Sequence, residues 1–235
     1  MPLKKLSKNN CIAIITARGG SKRIKNKNIL NFFGKPMIAY SIEAAKKTKL
    51  FDQIYVSTDS LKIKKISEKF GAIVPFLREK KLSDDFTGTQ KVIRSFINKI
   101  TCINKNFIYV CCIYPTAPLI KHESIISGYK EIVKNIYDYV ISANNIEKFP
   151  NKYFQVKNKK IKKIYNRNKF NLRSQDMPVY FQDAGQFYWA KKEKWLKRKI
   201  FTSKTAVIKI SNNYVQDLDN YNDLELLKFK KLNNE

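Results

Sequence analysis

Arg18, Lys22, Arg23 and Lys27 gather around Gly19, Gly20 and Ser21, directly after the apolar run Ile12-Ala13-Ile14-Ile15. Paired glycines let the backbone turn tightly and bring N–H groups close to an anion, and the surrounding cations suit phosphate. A strand that empties into such a loop is a common α/β device for holding a nucleotide. The segment lacks the Gly-Lys-Ser/Thr ending of a Walker loop and the spacing of a dinucleotide fingerprint. By itself it also fits a solvated turn carrying surface lysines. Further on, Asp217 and Asp219 stand two residues apart in Val215-Gln216-Asp217-Leu218-Asp219, which puts both carboxylates on one face of an extended chain. Hard oxygen donors of this kind suit magnesium shared with phosphate. The same pair also reads as a capping signal for a helix near Asn220, and spacing alone does not decide.

The chain that must position these groups has 235 residues, 43% of them hydrophobic and 13% aromatic, enough for one sizeable α/β domain with a small appendage. No apolar run approaches the ~18 residues of a membrane span. The start Met1-Pro2-Leu3-Lys4-Lys5 has no apolar signal core, so a cytoplasmic protein without membrane partners is expected. A formal charge of +28 raises the question of nucleic acid. The lysines run from end to end among asparagines and isoleucines, with no binding motif or stacking module, so anionic small molecules are expected rather than nucleic acid. Cys11, Cys102, Cys111 and Cys112 have no metal-binding pattern and read as small buried hydrophobes. The single histidine, His122, sits where a helix should start and suits a solvent-facing or capping role.

Strands and helices alternate. Strands are expected at Ile12–Thr16, Gln53–Ser57, Phe107–Tyr114, Tyr139–Ser142, Gln186–Ala190 and Thr205–Ile210. Helices are expected from Pro36 to Ala45, after the Thr58-Asp59-Ser60 cap, and over Thr87–Ile100, Ser124–Lys134 and Asn222–Leu232. This order implies a doubly wound, mostly parallel sheet with its ligand beyond the carboxyl ends of the strands. The segments around Arg18, Thr58-Asp59 and Pro115-Thr116-Ala117-Pro118 then meet in one cleft. Asn151 to Arg167 breaks the rhythm as a β-hairpin with Lys157-Asn158-Lys159-Lys160 near its turn, inside an arm inserted at about 145–180 of a single domain. Such an arm cannot bury its own apolar side chains, so a homodimer is expected.

The chain resembles the cytidylyltransferases that activate nonulosonic acids as CMP-sugars. Ile15-Thr16-Ala17-Arg18-Gly19-Gly20-Ser21-Lys22-Arg23, continuing to Lys27-Asn28, is similar to their nucleotide loop; Gly34-Lys35-Pro36-Met37 and Val56-Ser57-Thr58-Asp59 follow suit. Pro75-Phe76-Leu77-Arg78, Asp84-Asp85-Phe86-Thr87-Gly88-Thr89, Cys112 to Pro118, Arg173-Ser174-Gln175-Asp176 and Asp183 to Trp189 resemble the branch that takes pseudaminic acid. The likeness spans roughly residues 11 to 227. Thr16 stands where that family commonly has proline, and the lysine content is unusually high. The resemblance implies a Rossmann-like nucleotidyltransferase fold and a reaction in which CTP and an acidic nonulosonic sugar give the CMP-sugar and pyrophosphate. It implies a nucleotide site of Ala17, Arg18, Gly19, Gly20, Ser21, Lys22, Lys27, Asn28, Arg78 and Thr87. It implies Mg2+ (or Mn2+) on Asp217 and Asp219, which with Arg18 and Lys22 form the catalytic set. Arg173, Gln175, Asp176, Asp183, Gln186 and Tyr188 are the implied sugar contacts, with Arg173 facing the sugar carboxylate. Sialic or legionaminic acid is the alternative substrate, and a basic nucleic-acid-binding protein the distant alternative.

Overall fold

A computed structural model describes residues 10–146, 154–164, 173, 178–197 and 199–234. Its centre is a six-stranded sheet. Strand β1 (Cys11–Thr16) leads into the basic loop, followed by a short ribbon of β2 (Asn31–Phe32) and β3 (Lys35–Pro36) and by helix α1 (Met37–Thr48). Then come β4 (Gln53–Ser57), α2 (Leu61–Lys69), α3 (Thr89–Ile100), β5 (Tyr109–Ile113), α4 (His122–Ile132) and β6 (Tyr139–Asn145). The hairpin β7 (Phe154–Lys157) and β8 (Lys160–Ile164) precedes β9 (Phe181–Lys191), α5 (Lys192–Lys197), β10 (Thr205–Lys209) and α6 (Tyr221–Leu232). The order across the sheet is β10-β6-β9-β5-β1-β4. β9 runs antiparallel to both β5 and β6, while the other pairs are parallel.

The continuous apolar runs of β1 and β5 follow from burial on both faces. Cys11, Ala13, Ile15, Cys111 and Ile113 join the core layer that includes α1 and α4 residues. Ile12, Ile14, Val110 and Cys112 face the opposite layer with Phe96 of α3 and Trp195 of α5. Adjacent Cys111 and Cys112 therefore enter different cores, as strand alternation requires. Cys102 corrects the reading of all four cysteines as buried: it is exposed, in the turn after α3. A third cluster binds Ile24 of the basic loop, Met37 of α1, Leu218, and Leu224 and Leu227 of α6. Ile24 and Leu218 thereby bring the loop and the Asp217–Asp219 segment together.

Some element ends fall where expected and others differ for local reasons. α2 is capped by Ser60, whose Oγ accepts from the Ile63 amide at 3.4 Å. α3 starts at Thr89 rather than Thr87, because the Asp84 carboxylate takes the Phe86 and Thr87 amides at 2.9 and 2.6 Å and commits them to a turn. α6 is capped by a reciprocal Asn220–Asp223 box, so Asn220 and Asp223, not Asp217 or Asp219, supply the capping side chains. His122 opens α4 with Nδ1 3.1 Å from Glu123. β9 is longer than expected because its first half continues along β6 past a register shift between Ile141 and Ala143. Gly185 sits in the left-handed region there, at φ 59°, and lets the strand re-aim its side chains. In the hairpin, Asn158 and Lys159 take φ 51° and 61°, the signature of a two-residue type I′ turn. Phe154, Val156 and Ile161 on it are exposed. Among the described residues no helix is long and apolar enough to cross a membrane.

Candidate active site

Two cavities open at the carboxyl end of the parallel strands and share Tyr114 and Thr116, just past β5. The first, about 240 Å³, is lined by Thr16, Arg18, Ser21, Lys22, Lys27 and Asn28 from the β1 side, and faces Arg78, Asp85, Thr87 and Thr89. The second, about 300 Å³, is lined by Asp183, Gln186 and Tyr188 of β9 together with Tyr214 and Asp217. Because β9 is reversed, its N-terminal half reaches the end of the sheet where its neighbours finish. Arg18, Ser21, Lys22, Lys27, Asn28, Arg78 and Thr87 thus meet around one space. Ala17 is buried beneath the loop, and Gly19 and Gly20 do not line the cavity.

The loop is shaped by side chains distant in sequence. The Gly19 amide donates to Asp59 Oδ1 at 2.8 Å, and a Cβ on Gly19 would stand 3.0 Å from Ser60 Cβ, so the Ser60 cap of α2 leaves little room for a side chain there. Asn28 is buried and its Nδ2 donates to the Arg18 carbonyl at 2.8 Å. Arg78 is also buried, with Nε donating to Ser83 Oγ at 3.1 Å and its other end 3.9 Å from Asp59. Burial lowers the Arg78 pKa, the Asp59 carboxylate opposes that fall, and Arg18 adds to it.

Asp85 was not singled out from sequence as a site residue. Its carboxylate bridges Arg18 at 2.7 Å and Lys22 at 2.7 Å, and these two cations hold its pKa below the usual carboxylate value. Arg18 also donates to the Asp84 carbonyl at 2.7 Å. Thr89 and Tyr114 line the cavities without having been assigned from sequence, whereas the segments carrying Asp59 and Thr116 were expected at the cleft, where Thr116 lines both cavities and Asp59 holds the loop. Arg23 pairs with Asp219 at 2.8 Å, and Lys27 Nζ donates to the Leu218 carbonyl at 2.6 Å. Burial lowers the Lys27 pKa, and the charges of Asp217 and Asp219 oppose that fall, so both carboxylates act on one ammonium group. Among the described residues no three metal-binding side chains cluster. Asp217 lines the second cavity, whereas Asp219 lines neither and is held by Arg23; both offer the hard oxygen donors a divalent cation takes.

On the sugar side of the prediction, Asp183, Gln186 and Tyr188 share the second cavity. Gln186 Nε2 donates to the Tyr214 carbonyl at 2.6 Å, and its Oε1 is buried without a partner. Arg173 is exposed and lines neither cavity. Gln175 and Asp176 lie outside the described residues.

A mostly parallel sheet with one reversed strand and a cation-lined cavity at its carboxyl edge is the arrangement of a nucleotidyltransferase. CMP:2-keto-3-deoxy-manno-octonic acid synthetase complexed with CTP has the same fold, with a TM-score of 0.71 at 13% identity over 96% of this chain and 99% of that one. A 4-diphosphocytidyl-2C-methyl-D-erythritol synthase aligns with a TM-score of 0.64 at 11% identity over 94% of this chain and 97% of that one. Residues 12–234 match the cytidylyltransferase family model, and the chain belongs to that family. It is 36% identical to the pseudaminic acid cytidylyltransferase of Campylobacter jejuni, over 97% of this chain and 98% of the relative. The N-acylneuraminate cytidylyltransferase of Streptococcus agalactiae is 30% identical over 90% of this chain and 51% of its own length.

Proposed function

We propose that this cytidylyltransferase moves CMP from CTP to pseudaminic acid and releases pyrophosphate. The observation that carries this reading is the pair of joined cavities, one cationic and one lined by β9, in a chain similar end to end to a pseudaminic acid cytidylyltransferase. In-line attack of the anomeric hydroxyl on the α-phosphate demands mainly positioning and charge stabilisation. Arg18 and Lys22 exchange Asp85 for the triphosphate, and Lys27 holds the loop against Leu218 beside it. Ala17, Gly19, Gly20 and Ser21 set the backbone of this cradle; Asn28, Arg78 and Thr87 border the ribose and base. Mg2+ on Asp217 and Asp219 would supply charge neutralisation at the phosphates.

On the sugar side, the unpaired Gln186 Oε1 suits an amide N–H donor such as an acetamido group. Asp183 and Tyr188 meet hydroxyls, Arg173 takes the carboxylate, and Gln175 and Asp176 complete the set. The exposed hairpin face of Phe154, Val156 and Ile161 pairs with a second copy to give a homodimer. The protein is read as a single cytoplasmic domain with the inserted arm, and its charge as a property of the surface rather than a nucleic-acid footprint.

Pyrophosphate release from CTP and Mg2+ with pseudaminic, legionaminic, N-acetylneuraminic and Kdo acids in parallel tests the reading. Release with pseudaminic acid alone is expected. Preference for another acid would overturn the sugar assignment and leave the nucleotide half standing.

A further inference from the structure

Cytidylyl transfer has one atom common to both substrates. The α-phosphorus is joined in the transition state to the nucleoside, to the departing pyrophosphate and to the attacking sugar oxygen, so it lies where the nucleotide and sugar spaces meet. The two cavities share Tyr114 and Thr116, in the turn just past β5. Neither residue belongs to the phosphate cradle or to the sugar contacts.

Tyr114 is fixed at its backbone, its ring and its hydroxyl. Its amide donates to the Gln186 carbonyl at 2.9 Å, and its carbonyl accepts from Oγ of the buried Ser41, on α1, at 2.7 Å. Pro115 follows it and disfavours helical backbone there. The ring meets that of Tyr188 edge to face, with centroids 5.6 Å apart. The hydroxyl stands 2.7 Å from Oγ1 of Thr89, the first residue of α3, and Thr89 lines the first cavity. Two hydroxyls bring two protons to this one bond, so the pair keeps a proton for a further acceptor. A phenol is a stronger donor than an alcohol, which sets the order: Thr89 donates to Tyr114, and Tyr114 donates onward. Burial raises the Tyr114 pKa to about 12, so the phenol keeps its proton in neutral solution.

Resting on the cytidylyl-transfer reading above, we propose that Tyr114 is a catalytic residue whose hydroxyl donates to a non-bridging oxygen of the α-phosphate, with Thr89 as the positioning residue that aims it. The anomeric oxygen forms a bond to the α-phosphorus, and the bond from that phosphorus to the α–β bridging oxygen breaks, its electron pair leaving with pyrophosphate. The proton of the attacking hydroxyl goes to water, and Tyr114 keeps its own throughout. Negative charge gathers on the non-bridging oxygens as the two bonds exchange, and a donor already held in place meets it without reorganising.

Tyr114→Phe keeps the ring and removes the donor. Single-turnover transfer, with the sugar acid that the wild type uses, should slow about 10²- to 10³-fold, the usual cost of losing one such donor. CTP affinity, read by calorimetry without sugar, should change by less than about threefold, because the bond strengthens only in the transition state. Thr89→Val leaves the phenol without its anchor and should cost about fivefold, the worth of one neutral hydrogen bond, with no further loss when Tyr114 is already Phe. The two diastereomers of CTP with sulfur on the α-phosphorus give a separate readout. Sulfur accepts poorly and sits at a different oxygen position in each, so the ratio of their rates should change between wild type and Tyr114→Phe. Thermal unfolding establishes that each variant is folded. A Tyr114→Phe rate within about threefold of wild type, an equal loss in CTP affinity, or an unchanged diastereomer ratio overturns the donor. A Thr89→Val loss undiminished in the double variant overturns the positioning role. A wild type silent with all four acids overturns the transfer reading and the donor with it, whereas an active wild type matched by Tyr114→Phe overturns the donor alone.

Discussion

Gly128→Ala, in the middle of α4, should destabilise the protein although alanine is the better helix former. An ideal Cβ there would stand 2.7 Å from Trp189 Cδ1, 2.9 Å from Phe187 Cε2 and 3.1 Å from Trp189 Nε1. Carbon contacts are comfortable at about 3.5–4.0 Å, so the helix and strand must separate by at least roughly half an ångström. Both rings are fully buried, and Trp189 is stacked on Phe51 with centroids 5.3 Å apart. Its indole Nε1 donates to the Ile125 carbonyl at 3.1 Å, and Ile125 belongs to α4, so lifting the helix stretches that bond. Overpacking against two locked walls falls in the upper part of the usual range, about 2–3 kcal/mol, against about 1 kcal/mol regained from helix propensity. With both walls locked, the net loss is about 1–2 kcal/mol, a fall in Tm of roughly 2–8 °C for a chain of this size. Thermal unfolding followed by near-ultraviolet circular dichroism reads it directly, because Trp189 is part of the disturbed packing. Gly20→Ala is the control: nothing lies within 4 Å of its Cβ position, so Tm should stay at the wild-type value. A Gly128→Ala Tm at or above wild type would refute the steric argument.

Asp219→Asn should raise the magnesium concentration needed for half-maximal turnover; turnover equal to wild type at limiting magnesium would remove Asp219 from the metal site. Arg173→Ala should raise the apparent KM for the sugar by roughly 10- to 100-fold, the worth of hydrogen bonds to a charged group, with the CTP KM unchanged. Val156→Lys with Ile161→Lys puts charge on the exposed apolar positions of the hairpin and should turn a dimer into a monomer in sedimentation velocity, with a wild-type monomer refuting the assembly. A thiol reagent should label Cys102 quickly in the native protein and Cys11, Cys111 and Cys112 only on unfolding, since the latter three are buried. Burial also raises the pKa of Cys11 to about 12, keeping that thiol from its reactive form.

The features that sequence revealed were local ones. β1 and its loop stood out because an apolar run, two glycines and four cations are contiguous, and β4 was bounded to the residue by its flanking polar signals. α2 was marked by Ser60, which caps it in the structure. The direction of β9 was not legible: Phe187, Tyr188 and Trp189 favour a strand of either sense, and only the long connection before them sets which way it runs. The grouping of Arg18, Lys22 and Asp85 was equally invisible, since more than sixty residues separate the cations from the carboxylate. Asp59 looked like part of a capping signal, whereas its carboxylate holds the Gly19 amide. Tyr114 lay inside an apolar strand run and gave no sign that it would line both cavities.

The bridge from Asp85 to Arg18 and Lys22 means that the cradle proposed for phosphate already holds a carboxylate. An incoming anion does not simply fill it; it must trade places with one tethered nearby, and only the difference between the two embraces counts as affinity. A singly charged anion gains little from that trade, whereas a triphosphate brings several oxygens where the carboxylate brought two. If Arg18 and Lys22 hold the triphosphate as proposed, the loop would act as a threshold on charge, favouring anions with several oxygens over singly charged ones. After transfer, the same carboxylate would stand ready to reclaim its partners from the departing pyrophosphate.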